Sequence, residues 1–255
     1  MEFSHLSSTI TIKTVSEDAK RGVFEVEGLF AGYGLTVGNA LRRALLSSLP
    51  GAAVTELKIK NAPHEFSTLP GLKDDLVELS LNFKKLRFRM HTDEPQVLTL
   101  RAKGEKNVTA GDIKTTSEVE IVNPDELLAT LTSKDAELDM EIKVERGLGY
   151  SPVEARKEGR LSIGTIAIDA IFTPVQKVNF TIEDMRVGDR TDYNRLRFEI
   201  ETDGTISPSV ALHKAANVLK DHFEKVAALN VQELETPKVV AETAPKKRGR
   251  PKKEK

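Results

Sequence analysis

Gly34-Leu-Thr-Val-Gly-Asn-Ala-Leu-Arg-Arg-Ala-Leu-Leu-Ser-Ser-Leu-Pro-Gly51 is the stretch from which the fold of this chain can be read. Val37, Leu41, Ala44, Leu45 and Leu49 return at helical spacing, Thr36 is a candidate cap, and Pro50-Gly51 ends the run. The spacing predicts a helix over residues 36–49. Ala40 and Leu46 widen its apolar stripe beyond one face, so the helix is expected to bury two sides. Just upstream, Gly28-Leu-Phe-Ala-Gly32-Tyr-Gly34 is a glycine-rich loop, and the short runs around Ile10, Ile12 and Val23–Glu27 read as strands.

Downstream the period falls to two. Val54–Ile59 alternates as a strand, and residues 61–71 form a loop with two prolines. Leu76, Leu79, Leu81, Phe83 and Leu86 suggest a helix running into a strand over residues 74–86. Residues 87–144 read mostly as β, most clearly at 97–101, 118–122 and 138–145. Gly147-Leu-Gly-Tyr-Ser-Pro152 interrupts them, and residues 154–160 are expected to be an exposed, mobile loop. Residues 162–172 and 175–183 return to β, and Leu196–Thr202 alternates up to the turn at Asp203-Gly204.

Ser207 as N-cap and Pro208 in the first turn open the strongest helix. Leu212, Leu219 and Val226 lie seven apart, Ala215, His222 and Leu229 interleave with them, and Phe223 widens the seam. That heptad pattern belongs to a helix packed against another helix. Beyond Glu233 the composition turns to Pro, Ala, Thr, Glu and Lys, which reads as disorder.

With 255 residues, 39% apolar and 30% charged, the chain can bury a real core in one large domain or two modest ones. It has no cysteine, which excludes disulfides, thiolate metal sites, iron–sulfur clusters and cysteine nucleophiles. No apolar run approaches the roughly 18–20 residues of a membrane span, and Met1–Ile12 lacks the order of a secretory signal. The expected compartment is the cytoplasm. The net charge of −1 hides an asymmetry: residues 236–255 carry +6 and the rest −7. An acidic body has no general attraction for nucleic acid, whereas the basic tail does.

No catalytic constellation survives inspection. Gly32-x-Gly34-x-x-x-Gly38 imitates a phosphate-binding loop, but its third glycine is one place late and no Lys-Ser/Thr follows. A tight turn that lets a helix pack closely is the favoured reading. His64-Glu65-x-x-Thr68 lacks the second histidine of a zinc-protease helix, and the five histidines are scattered. Asp74-Asp75 is assigned to solvation, its carboxylates pointing about 100° apart if helical. No metal site, catalytic residue or bound cofactor is expected, which fits a binding module.

Two segments carry a family resemblance. Residues 34–51 above, continuing Ala53-Val-Thr-Glu56, and His64-Glu-Phe-Ser-Thr-Leu-Pro-Gly-Leu-Lys-Asp-Asp75 are similar to the bacterial RNA polymerase alpha subunit. Leu81-Asn-Phe-Lys84, Arg146-Gly-x-Gly-Tyr150, Arg190-Thr-Asp192 and Glu201-Thr-Asp-Gly-Thr-Ile-Ser-Pro208 match in the same order, so the resemblance covers residues 1–233. It implies an α+β fold with a dimerisation domain of helices on a β-sheet, built from both ends of that segment (1–50 and 176–233). A mostly-β domain (51–175) is inserted between them. It also implies a homodimer that nucleates assembly, binding the beta subunit and then beta-prime. Catalysis and its magnesium would belong to those large subunits of the nucleotidyltransferase complex.

Carried over position by position, the resemblance places Arg43, Leu46 and the loop His64, Glu65, Phe66, Ser67, Thr68 against beta, and Lys84 on the beta-prime side. Tyr33, Leu41 and Leu45 would join Leu212, Leu219, Phe223 and Val226 in the dimer contact. The competing reading is that these apolar residues are intrachain core, because an obligate interface resembles a core cut in half.

Most relatives continue into a helical DNA-binding domain, for which this sequence has no room after residue 233. The chain is either a natural short form or a truncated piece, and the first is favoured because Arg248-Gly249-Arg250-Pro251, flanked by lysines, is similar to an AT-hook. There the arginines would run along the floor of a narrow A·T minor groove, where the potential is most negative. A solubilising basic tail (234–255) with general DNA affinity is the other reading. A stand-alone architectural DNA binder would need a basic body, and this body is acidic.

Overall fold

The structure is a computed structural model and describes residues 9–156 and 164–229. In chain order the elements are β1 (Thr11–Glu17), β2 (Arg21–Leu29), α1 (Tyr33–Ser47), β3 (Pro50–Ile59), α2 (Leu76–Phe83), β4 (Phe88–Met90) and β5 (Gln96–Lys103). They continue with β6 (Lys106–Thr109), β7 (Ile113–Lys114), β8 (Val119–Ile121), β9 (Leu127–Leu131), β10 (Glu137–Leu148) and β11 (Tyr150–Ser151). The last are β12 (Thr165–Ala167), β13 (Ala170–Ile171), β14 (Val175–Val187), β15 (Arg190–Thr202) and α3 (Pro208–Ala227). The chain is therefore a strand-rich α+β protein.

Two large hydrophobic clusters divide it, with a small third one of Ala53, Ala170 and Phe172. The first lies under a four-stranded antiparallel sheet ordered β1-β2-β15-β14. Strand alternation aims Phe24, Val26, Leu196, Phe198 and Ile200 at one face, where α1 and α3 cover them. The opposite face is a charge ladder: Lys13 and Arg195 both bridge Glu27, at 2.6 and 3.1 Å, and Arg197 bridges Glu25 at 3.3 Å. The carboxylates of Glu25 and Glu27 are partly shielded there, whereas Lys13, Arg195 and Arg197 reach solvent, so this face holds no apolar core of its own.

The second cluster draws on residues 54–168. Its sheet is ordered β7-β5-β10-β3-β4-β8, with β12 alongside β3. Alternate residues of β10 (Leu138, Met140, Ile142 and Val144) point inward with Leu57, Leu98 and Leu100, and α2 adds Leu76, Leu79 and Phe83. Two chain crossings join the regions, one from α1 into β3 and one through residues 172–174 into β14. Thr173 Oγ1 donates to the Leu46 carbonyl at 2.8 Å, so the crossings run side by side.

Several local readings need correction. The first helix begins at Tyr33, not Thr36. Its N-cap is Gly32 in the left-handed region (φ 84°), which a β-branched or bulky residue would resist. No side chain of the helix caps it. Asn194 on β15 does so from 160 residues away, its Oδ1 accepting the N–H groups of Gly32 (3.0 Å) and Gly34 (3.3 Å). Ser207 starts α3 with extended backbone but without a side-chain cap bond; its hydroxyl lies 3.2 Å from that of Ser209. Asp74 and Asp75 precede α2 rather than lying on it. Asp75 accepts the Glu78 N–H at 2.6 Å as N-cap, and Asp74 accepts the Thr130 N–H at 3.3 Å, so both have structural work beyond solvation. Residues 153–156 form a 3-10 turn, and the rest of the expected mobile loop lies outside the described residues.

Candidate partner-binding surfaces

The glycine-rich loop resolves first. A Cβ on Gly38 would come within 2.8 Å of Phe180, and one on Gly34 within 3.0 Å of Asn194, so the glycines let α1 lie close against β14 and β15. The backbone donors at the helix start, which a phosphate would need, are already bonded to Asn194. The phosphate-loop imitation is a packing device.

α1 and α3 share one sheet face but are seated differently. α1 buries Gly34, Gly38, Ala44 and Leu45, and Leu45 has no accessible surface at all. Leu45 therefore belongs to the protomer's own core, which corrects its expected place at a dimer contact: it sits enclosed within the cluster that also holds Phe198 and Ala215. Leu41, Leu212 and Leu219 are half-buried against the same cluster. α3 buries only Pro208, Ala211 and Ala215, all in its first half. From Lys220 onward every described residue is exposed, including Phe223 (64%), Val226 (70%) and Leu229 (72%). Tyr33 and Leu35 are exposed at the start of α1. Tyr33 packs edge-on to Phe30 at 6.3 Å, and Arg190, paired with Asp192, lies 4.8 Å over the Phe30 ring. The Arg190-Thr-Asp192 motif thus braces the aromatic corner from which α1 starts.

A second surface forms on the other region. Glu65, Phe66, Val77, Leu81, Lys84, Val153, Ile168 and Asp169 line a groove of about 400 Å³. α2 creates it by facing two ways: Leu76, Leu79 and Phe83 are buried, whereas Val77 and Leu81 look out. Phe66 stands 75% exposed at the rim. It is carried by a turn in which the Ser67 N–H donates to the His64 carbonyl at 3.1 Å, and the His64 ring lies 3.1 Å from the Ser67 hydroxyl. Thr68 is exposed beside it.

Asp169, which the sequence reading missed, organises the groove. Its carboxylate accepts the Val153 N–H at 3.1 Å and the Lys84 ammonium at 3.2 Å. The Val153 N–H first, then Lys84, hold its pKa below the usual carboxylate value, and the Tyr150 phenol also bonds to it. The Tyr150 phenol is in turn pushed up, first by desolvation and then by the Asp169 charge. Lys84 is thus an anchored cation rather than a free one.

The β11–β13 strand pair, with the end of β10 that leads into it, continues this surface toward α1. Leu148, Tyr150 and Ile171 are exposed there, and a Cβ on Gly149 would lie 3.8 Å from the Ser47 carbonyl. On that last turn of α1, Arg43 is exposed with no side-chain partner among the described residues, and Leu46 is half-buried. Contacts therefore link the last turn of α1 to the β11–β13 pair, and that pair through Asp169 to Lys84 and the Glu65-Phe66 loop. Leu148, Tyr150 and Ile171 had only the Arg146–Tyr150 motif as a signal. Arg248, Gly249, Arg250 and Pro251 lie outside the described residues.

Among the described residues no cluster of three or more His, Asp or Glu side chains could hold a metal ion, and no helix is long and apolar enough to cross a membrane. Residues 57–173 match the family model described as the RNA polymerase Rpb3/RpoA insert domain. The DNA-directed RNA polymerase subunit alpha of Symbiobacterium thermophilum is 52% identical over 220 residues, covering 86% of this chain and 70% of that protein. Its counterpart in a Roseiflexus species is 49% identical over 219 residues, covering 86% and 67%. The counterpart in Desulforudis audaxviator is 50% identical over 208 residues, covering 82% and 66%. The chain thus spans about two thirds of the length of these relatives, and it belongs to the family of the DNA-directed RNA polymerase alpha subunit.

Proposed function

We propose that the chain is a non-catalytic assembly subunit of RNA polymerase that pairs with a second copy and presents a composite surface to the large subunits. The observation that carries this reading is the outer end of α3 and the residue just past it: Phe223, Val226 and Leu229 are large apolar side chains, each more than 60% exposed in a single protomer. Water-exposed apolar surface on a rigid helix is costly unless another polypeptide covers it. A second copy does so symmetrically, α3 and the exposed start of α1 (Tyr33, Leu35) meeting their equivalents across a twofold axis.

The groove and the α1 end then face beta and beta-prime. Arg43 supplies an unpaired planar fork for a carboxylate or backbone carbonyls. Phe66, Leu81 and Tyr150 supply aromatic and aliphatic anchors of the kind that dominate interfaces. Catalysis and its magnesium reside in the large subunits, and this chain works in the cytoplasm without a cofactor of its own. The tail grips A·T-rich DNA through Arg248 and Arg250; equal binding of A·T and G·C duplexes by the full chain, unchanged in the double alanine variant, would remove that part.

The test is a size measurement on the purified full chain, followed by capture of beta and beta-prime. A dimer at micromolar concentration that brings down both large subunits in stoichiometric amounts is the expected result. A monomer that captures neither refutes the proposal.

A further inference from the structure

The two crossings between the regions run side by side, and two adjacent crossings alone allow rotation about the line joining them. A third connection is made by side chains only. On β4, Arg89 donates Nε to the Thr205 carbonyl at 3.1 Å and Nη2 to the Gly204 carbonyl at 3.3 Å, while Nη1 pairs with Glu120 at 2.8 Å. One guanidinium thus spans from β8 to the turn that launches α3. Next to it, Arg87 donates to the Lys84 carbonyl at 2.8 Å and places Nε 3.8 Å from the Asp203 carboxylate, which is 5% exposed.

The turn itself is built to be held. Asp203 accepts the Thr205 N–H at 2.9 Å and its hydroxyl at 2.6 Å, and donates its own N–H to the Pro174 carbonyl at 2.9 Å. Gly204 takes φ 92°, and a Cβ there would sit 3.1 Å from Lys20 and 3.4 Å from Val122. Its backbone is therefore wedged between the β1–β2 turn and the inserted region.

We infer that Arg89 is a positioning residue for assembly: it locks the start of α3 to the inserted region and so fixes how the α3 end and the Phe66–Lys84 groove are presented together. The leverage is geometric. At about 1.5 Å of rise per residue, Phe223 stands about 22 Å from the start of α3, so a tilt of about 10° moves it by about 4 Å. Packed surfaces do not absorb a displacement of that size. The role in assembly rests on the proposed function, whereas the lock does not.

The absence of cysteine makes the lock directly measurable. Spin labels on Glu105→Cys in the inserted region and Lys214→Cys on α3, diluted with unlabelled chain, report their separation by dipolar electron resonance. Arg89→Ala is expected to broaden the distance distribution about twofold, as freed hinges do, and to weaken capture of the beta subunit about tenfold. Arg89→Lys keeps the charge and most of the stem, which guards against misfolding, but lacks the planar fork and is expected to broaden it less. An unchanged distribution in both variants overturns the inference. Broadening with no loss of beta capture overturns the role in assembly and leaves the lock. If the unmutated chain fails to bind beta while Arg89→Ala still broadens the distribution, it is the proposed function that falls.

Discussion

α1 and α3 lie on the same face of the same sheet, carry apolar stripes of similar width, and use them in opposite ways. α1 sinks its stripe into the sheet because Gly34 and Gly38 let its backbone approach Phe180 and Leu196 closely. α3 buries only Pro208, Ala211 and Ala215 and rests Leu212 and Leu219 half-buried against the core, before its last turns and the residues after them pass into solvent with Phe223, Val226 and Leu229 uncovered. One helix completes a protomer. The other is shaped to complete something larger.

Substitutions at matched apolar positions separate the two roles. Leu45→Ala should have the largest effect, lowering protomer stability in denaturant melts by about 3 kcal/mol, since it removes a fully enclosed side chain and leaves a cavity. An unaffected midpoint would place Leu45 at the surface after all. Phe223→Asp should leave the melt of a diluted protomer nearly unchanged yet weaken self-association about tenfold or more, read by sedimentation over a concentration series. If it instead unfolds the protomer, the difference between the helices disappears.

The smallest effect concerns the groove. Asp169 titrates below the usual carboxylate value of 3.8 because its ionised form accepts the Val153 N–H and the Lys84 ammonium. Its contribution is therefore complete above that value and is lost as pH falls through the lower, folded one. Asp169→Asn should flatten that part of an acid unfolding curve and release Lys84, its small loss of stability being fully present near neutral pH and vanishing at the acid end. An identical acid limb in the two proteins would show that Asp169 does not anchor the groove.

Much of the architecture was legible because periodicity is local. The seven-residue spacing of Leu212, Leu219 and Val226, the two-residue alternation through β10 and the breakers at Pro50-Gly51 and Asp203-Gly204 each express a contiguous pattern. The motif at His64–Thr68 and Lys84 stood out in the sequence and lie at one groove in the structure, but nothing in the sequence named the anchor of Lys84. Asn194 as the cap of α1, Asp169 as the hub of the groove and Arg89 as the lock on Thr205 escaped notice. Their partners lie 162, 85 and 116 residues away, and a lone polar residue in a strand or loop carries no spacing that names its partner.

The sequence by itself determined the kind and order of the elements, the acidic body with its basic tail, and membership in a polymerase family. It could not say which apolar stripe is inside, because Leu45 and Phe223 have the same chemistry and the same helical setting. That was decided by the tertiary structure, through how closely each backbone can approach the sheet. Two glycines bring α1 into contact along most of its length, whereas α3 outruns the sheet beneath it and keeps its last turns in water.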